Sequence, residues 1–179
     1  ERATGYFAWR PVFAELATES LLAEVTRSHP ELERVIPLLG AVVADAPPEN
    51  DFTAQLQGDV RAENTRRLLT AVLQVAAQQD ALLLVVEDAH WLDTTSRALL
   101  AEVVEHVEEL TTVVATRPDG DAAPWASTTL RLDALGIEAV ESLIAQRLSI
   151  DEVPPTLTDF VQRRAAGNPF YCVELVETM

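Results

Sequence analysis

Lysine is absent from the 179 residues: all thirteen basic side chains are arginine, set against 29 aspartates and glutamates, for a formal charge of −16. This absence excludes a self-contained phosphate loop of the form GxxxxGK[ST], whose ammonium reaches the β- and γ-phosphates. The acidic balance argues against direct nucleic-acid contact, which needs clustered positive charge, and against an anionic membrane surface. Cysteine occurs once, at Cys172, so an intramolecular disulfide framework and a multi-cysteine zinc site are both excluded. A reducing, cytoplasmic setting fits, with Cys172 as a small buried hydrophobe. Long apolar runs are also missing. The longest, Ala81 to Val86, is six residues, far short of the ~20 that a membrane-spanning helix needs. Glu1 to Tyr6 carries neither an initiator methionine nor a basic-then-apolar leader, and the expectation is a segment of a longer protein.

With 48% apolar residues, a chain of this length can bury roughly 70% of its unfolded surface. From Trp9 to Arg27, Phe13, Leu16, Leu21 and Val25 recur near helical spacing, with Pro11 tolerable in the first turn. Glu31 to Val43 also reads as helix, with a break or restart expected at Pro37. Ala44 to Gly58, with Pro47 and Pro48, reads as loop. Asp59 to Gln79 predicts an amphipathic helix with Arg61, Arg66 and Arg67 on its outer face.

The period then changes. Leu82 to Val86 reads as a strand buried on both faces, which implies a parallel sheet. Asp93 or Thr94 caps a helix running to about Glu109, and Thr111 to Thr116 reads as a second buried strand, so the three elements make a βαβ unit. Pro118, Asp119 and Gly120 suit a turn and Pro124-Trp125 a loop; Thr129 to Leu132 predicts a third short strand. From Gly136 onward three helices are expected, at about 137–148, 156–166 and 169–179. The expected organisation is an α/β core over 1–135 and a helical lid over 136–179.

The chemistry concentrates after the first strand, in Glu87-Asp88-Ala89-His90-Trp91-Leu92-Asp93. Two carboxylates at the carboxyl end of a buried strand lie on the edge where α/β sheets bind ligands. In phosphoryl-transfer sites one such acid holds Mg²⁺ and a neighbour orients the attacking water. The plainer alternative is an acidic turn closing a strand, with Asp93 as an N-cap, His90 as a structural hydrogen-bonding residue and Trp91 as packing.

The run LLLVVEDAHWLD resembles the Walker B segment of the signal-transduction ATPases with numerous domains, in particular the AAA-type P-loop modules of LuxR-type regulators and class III adenylate cyclases. VVATRP, Val113 to Pro118, resembles their sensor strand. LRLDALGIEAVESLI resembles the strand and helix leading into the lid, AAGNPF at Ala165 to Phe170 resembles the lid motif, and YFAWRPVF resembles a segment after the second strand of the cyclase-associated modules. The resemblance covers essentially the whole chain, with the motifs in the required order.

The resemblance implies an ATP-binding signalling switch. Glu87 takes the place of the Mg²⁺-binding acid, direct or through water, and Asp88 that of the water-polarising acid, also near the metal. Arg117 becomes the γ-phosphate sensor, a role that suits an always charged guanidinium fork. Gly167, Asn168 and Pro169 set the lid turn against the base; they also read as a glycine C-cap followed by a proline in the next helix's first turn. Glu87 departs from the usual Asp, and its extra methylene moves the carboxylate by about 1.5 Å.

The larger departure is the missing Walker A strand and loop. The implied fold is therefore a partial parallel P-loop sheet of three strands without its central strand. Loss of that strand would expose about five buried side chains, roughly 8–15 kcal/mol, as much as a domain's whole stability. The partners implied are ATP, the absent P-loop segment and further domains of the same chain. ATP and Mg²⁺ are expected in the intact protein, with none bound tightly by this chain alone. Two other functions fit the residues: a non-catalytic scaffold whose acids only cap secondary structure, and a metal-dependent hydrolase using Glu87, Asp88, His90 and Asp93 as ligands.

Overall fold

The single helix expected from Trp9 to Arg27 is divided by Ala17 and Thr18. A 3-10 turn at Phe7–Trp9 leads into α1 (Arg10–Leu16), which carries Pro11 in its first turn, and α2 (Glu19–Ser28) begins afresh. Thr18 is extended and its side chain accepts the N–H of Leu21, so a threonine able to cap ends one helix and starts the next. Pro30–Ala41 is a succession of 3-10 turns that takes Pro37 in without the expected break. The segment expected as loop contains α3 (Asp51–Gln55), started by a reciprocal capping box in which Asn50 accepts the N–H of Thr53 and Thr53 accepts the N–H of Asn50.

The described residues of this computed structural model are 5–117 and 126–179. They fall into two units, Glu1–Ala126 and Ser127–Met179. The turn expected at Pro118-Asp119-Gly120 and the loop at Pro124-Trp125 lie outside the described residues. Among the described residues, no helix is long and apolar enough to cross a membrane.

The first unit is organised by α4 (Gly58–Gln79), which agrees with the helix expected there. Leu68, Leu69, Val72, Leu73 and Ala76 are buried, and their spacing puts them along one stripe. Each large side chain buried in this way contributes about 1.5–3 kcal/mol. The stripe packs against α2, the Pro30–Ala41 turns and α5 (Thr94–His106). On the outer face, Arg61 pairs with Glu49, Arg67 with Glu31, and Arg66 with both Glu63 and Glu102. Burial opposes the charge on Arg66, and the two carboxylates outweigh it, leaving its pKa raised.

Two strands follow the β–α–β order read from the sequence. β1 (Leu82–Val86) and β2 (Leu110–Val114) pair in parallel and in register, Leu82 with Leu110 through Val86 with Val114. The sheet has these two strands among the described residues, which corrects the three-stranded partial P-loop sheet. Thr129 to Leu132 forms no ladder, and Leu130 and Leu132 are 83% and 86% exposed. The chain just beyond them is bound elsewhere: the N–H of Leu135 donates to the Gly167 carbonyl at 2.8 Å, and Gln162 Nε2 donates to the Leu135 carbonyl at 3.1 Å. Extended backbone becomes sheet only where a neighbour offers its own N–H and C=O groups, and here the partner is the helical unit.

The expectation that β1 is buried on both faces is corrected as well. Leu84 faces the core, while Leu83 and Val85 are exposed, as is Val113 on β2. Among the described residues, the helices of the first unit cover the face that carries Leu84, and the face that carries Leu83, Val85 and Val113 is exposed. Among the described residues the fold is mainly helical with a two-stranded parallel sheet.

The second unit is a three-helix assembly of α6 (Ile137–Leu148), α7 (Pro155–Ala165) and α8 (Pro169–Glu177), close to the three helices expected. Each packs on the other two, around Val140, Ile144, Val161, Cys172 and Val176.

Candidate functional site

In-register parallel pairing brings the carboxyl ends of β1 and β2 side by side. Ala115 donates its N–H to the Val86 carbonyl at 2.8 Å, and Ala89 donates its N–H to the Ala115 carbonyl at 2.9 Å. Glu87 and Asp88 thus leave the sheet edge beside Ala115, and Arg117 follows two residues later. All three side chains are exposed. The structure brings the two acids and Arg117 to one edge, by backbone bonds rather than by side-chain pairing.

Asp88 has φ 50 and ψ 41, the left-handed region. That conformation costs most L-residues roughly 1–2 kcal/mol, and Asp and Asn adopt it more readily than others. It turns the chain sharply into a 3-10 turn at Ala89–Trp91, closed by the Trp91 N–H on the Asp88 carbonyl at 2.8 Å. The two neighbouring acids consequently leave a bend rather than a straight strand.

His90 does not act as the hydrogen-bonding residue expected. Its Nδ1 lies 3.8 Å from Asp88 Oδ1, beyond hydrogen-bond reach, and neither buried ring nitrogen has a hydrogen-bond partner among the described residues. Trp91 is 75% exposed rather than packed, with its ring 5.1 Å from that of His90.

Asp93 is the N-cap of α5. It accepts from the Ser96 N–H at 2.9 Å, from the Ser96 hydroxyl at 2.6 Å and from the Thr95 hydroxyl. Burial opposes its ionisation, yet the bonds from Ser96 and Thr95 hold its carboxyl below the ordinary aspartate range. With Asp93 turned to the helix, the four-ligand set imagined for a metal-dependent hydrolase does not assemble. Among the described residues no three His, Cys, Asp or Glu side chains converge to hold a metal ion. Glu87 and Asp88 do suit Mg²⁺, a hard ion that usually takes one or two carboxylates and fills its remaining positions with water and phosphate oxygens.

Sequence reasoning missed what holds the far end of this loop. Tyr6 donates its N–H to Thr95 Oγ1 at 3.3 Å, and the buried Trp9 indole donates to the Ser96 carbonyl at 3.1 Å. The only local signal was the run Asp93-Thr94-Thr95-Ser96, a capping pattern; its partners lie almost ninety residues earlier.

In the second unit, Gly167 has φ +73 and ends the turn after α7. A Cβ there would lie 2.6 Å from the Leu135 carbonyl oxygen and 2.9 Å from its nitrogen. Asn168 caps α8, its Oδ1 accepting from the N–H groups of Phe170 at 3.0 Å and Tyr171 at 3.4 Å, and Pro169 opens the helix. These are the roles that local chemistry alone assigns to them. Beside Pro169, Phe170 and Tyr171 form an exposed edge-to-face pair with centroids 5.6 Å apart. Burial raises the pKa of the Cys172 thiol, as befits a core residue.

A family model for a domain of unknown function (DUF8739) matches residues 136–179. The chain is also similar to an uncharacterized protein of Rhizobium meliloti (strain 1021), at 28% identity over 123 residues, which is 64% of this chain and 12% of that protein. The chain therefore corresponds to a small part of the length of the relative it matches. No solved structure matches the chain.

Proposed function

We propose that this chain is the acid-bearing and sensing segment of a cytoplasmic, ATP-dependent signalling switch. A longer protein would supply the lysine-bearing phosphate loop. The observation that carries the reading is the edge where β1 and β2 end together: two exposed carboxylates leave one strand, and Arg117 follows the other. Ligands of parallel sheets bind at such carboxyl ends. A phosphoryl-transfer site needs anionic oxygens for Mg²⁺ and a cation that registers the terminal phosphate.

In this reading Glu87 holds Mg²⁺, directly or through water, and Asp88 orients the attacking water. Mg²⁺, when bound, neutralises charge on the phosphate oxygens. Arg117 reports whether the γ-phosphate is present. In its parent, the switch would act on transcription or on cyclase output. The size of the matched relative agrees with a multidomain setting.

The test is Asp88→Asn in the natural full-length protein, with MgATP binding and turnover measured together. Binding should persist within about twofold while turnover falls by roughly 10²-fold or more, the scale of a lost water-activating group. Unchanged turnover would remove Asp88 from the chemistry. The exposed apolar side chains of Leu83, Val85 and Val113 favour a second reading, a non-catalytic interaction module; a full-length protein that binds no MgATP would leave that reading standing.

A further inference from the structure

We infer that residues Gly5 to Trp9 are a positioning clamp for the loop that carries Glu87 and Asp88, acting through the first turn of α5. Its consequence for turnover rests on the switch reading; its consequence for loop geometry does not.

Three contacts converge on two adjacent residues of α5. Tyr6 donates its backbone N–H to Thr95 Oγ1, and the Trp9 indole donates to the Ser96 carbonyl from a buried position. Gly5 lies so close that a Cβ on it would sit 2.8 Å from Thr95 Oγ1. Tyr6 holds a left-handed backbone, φ 61, an arrangement that persists only where surrounding contacts fix it. The Trp9 ring is itself seated against Phe13, 6.1 Å between centroids, in the core of the unit.

The Thr95 hydroxyl links the clamp to the loop. It accepts from Tyr6 and donates to Asp93, and a hydroxyl has one proton to give. With Tyr6 occupying an acceptor direction, that proton is directed at the carboxylate, and the two bonds polarise each other. Asp93 is the last residue of the loop. Its other end is tied to β2 through Ala89 and Ala115. Glu87 and Asp88 lie just ahead of the Ala89 tie, and the Ala89–Asp93 segment that follows them is fixed at both ends; slackening its Asp93 end loosens the 3-10 turn whose Trp91 N–H closes on the Asp88 carbonyl.

The clamp predicts a local effect with a chemical rescue. In the full chain, amide exchange of Ala89, Trp91, Leu92 and Ser96 should quicken by about tenfold in Thr95→Val and Trp9→Phe, the scale of one lost hydrogen bond. Amides of Leu68 to Val75 in α4 should keep their wild-type rates. Thr95→Ser, which retains the hydroxyl, should restore the loop. Loop amides that stay at the wild-type rate, or that quicken together with α4, overturn the clamp. In the natural full-length protein, Trp9→Phe should lower kcat for ATP with KM unchanged; a faster-exchanging loop with kcat intact overturns the positioning role. A wild-type protein that neither binds nor turns over MgATP defeats the switch reading alone, and the exchange rates then decide the clamp.

Discussion

Ala89 donates its N–H to the Ala115 carbonyl across 2.9 Å, joining the bend after β1 to the first residue after β2. Main-chain atoms make this bond, so the acids on one side and Arg117 on the other keep their places whatever their own side chains do. Changes at these exposed positions should therefore separate chemistry from folding.

Arg117→Ala is the cleanest case. The side chain is exposed, and stability should change by no more than about 0.5 kcal/mol in urea unfolding. Discrimination of ATP over ADP in the full-length protein should fall, as measured by paired titrations. Equal discrimination in mutant and wild type would sink the sensor role.

Asp93 carries a pH signature. Its carboxyl is held below the ordinary range when folded, whereas the unfolded value is about 3.9. Its contribution to stability is complete above that pH and is lost as pH falls through the folded value. Asp93→Ala should cost about 1–2 kcal/mol at pH 7, and the penalty should shrink below about pH 4. Urea melts of both proteins across this range would show it; a penalty independent of pH would contradict the assignment.

The two faces of the sheet should respond differently to mutation. Leu83 and Val113 are 63% and 50% exposed, whereas Leu84 is buried. Leu83→Ser and Val113→Ser should change the stability of this chain by no more than about 0.5 kcal/mol, and should leave its light scattering no higher than that of the wild type, because they remove exposed apolar surface. Leu84→Ala should cost about 2–5 kcal/mol. Calorimetry and light scattering read the two effects separately.

Gly167→Ala tests the turn of the second unit. The new Cβ would meet Leu135 backbone atoms at 2.6 and 2.9 Å in a left-handed conformation. The left-handed conformation alone costs roughly 1–2 kcal/mol, and the clash adds to it. Loss of exchange protection should centre on Leu135 and the start of α8, with α4 untouched.

Legibility followed the range of the interactions concerned. α4, α6 and the cap at Asp93 were readable because a helix closes its own hydrogen bonds within four residues and shows its buried stripe in the spacing of Leu68, Leu69, Val72 and Leu73. α3 was missed although its signal was local; the Asn50–Thr53 capping box sat behind two prolines that read as loop. The acids at the strand end were legible from an apolar run ending in charge. The clamp was not, because Tyr6 and Thr95 are brought together only by folding.

By itself the sequence determined the helical periods, the β–α–β order, the exclusion of a self-contained phosphate loop and the residues available for chemistry. Each follows from composition or from contacts between near neighbours. Only the tertiary structure decided that the sheet has two strands among the described residues, that Leu83, Val85 and Val113 on it are exposed, and that Thr129 to Leu132 joins no ladder. An apolar run states that burial is favourable; it does not say which surface arrives to cover it. That depends on distant segments competing for the same backbone groups, as Gly167 does for the N–H of Leu135.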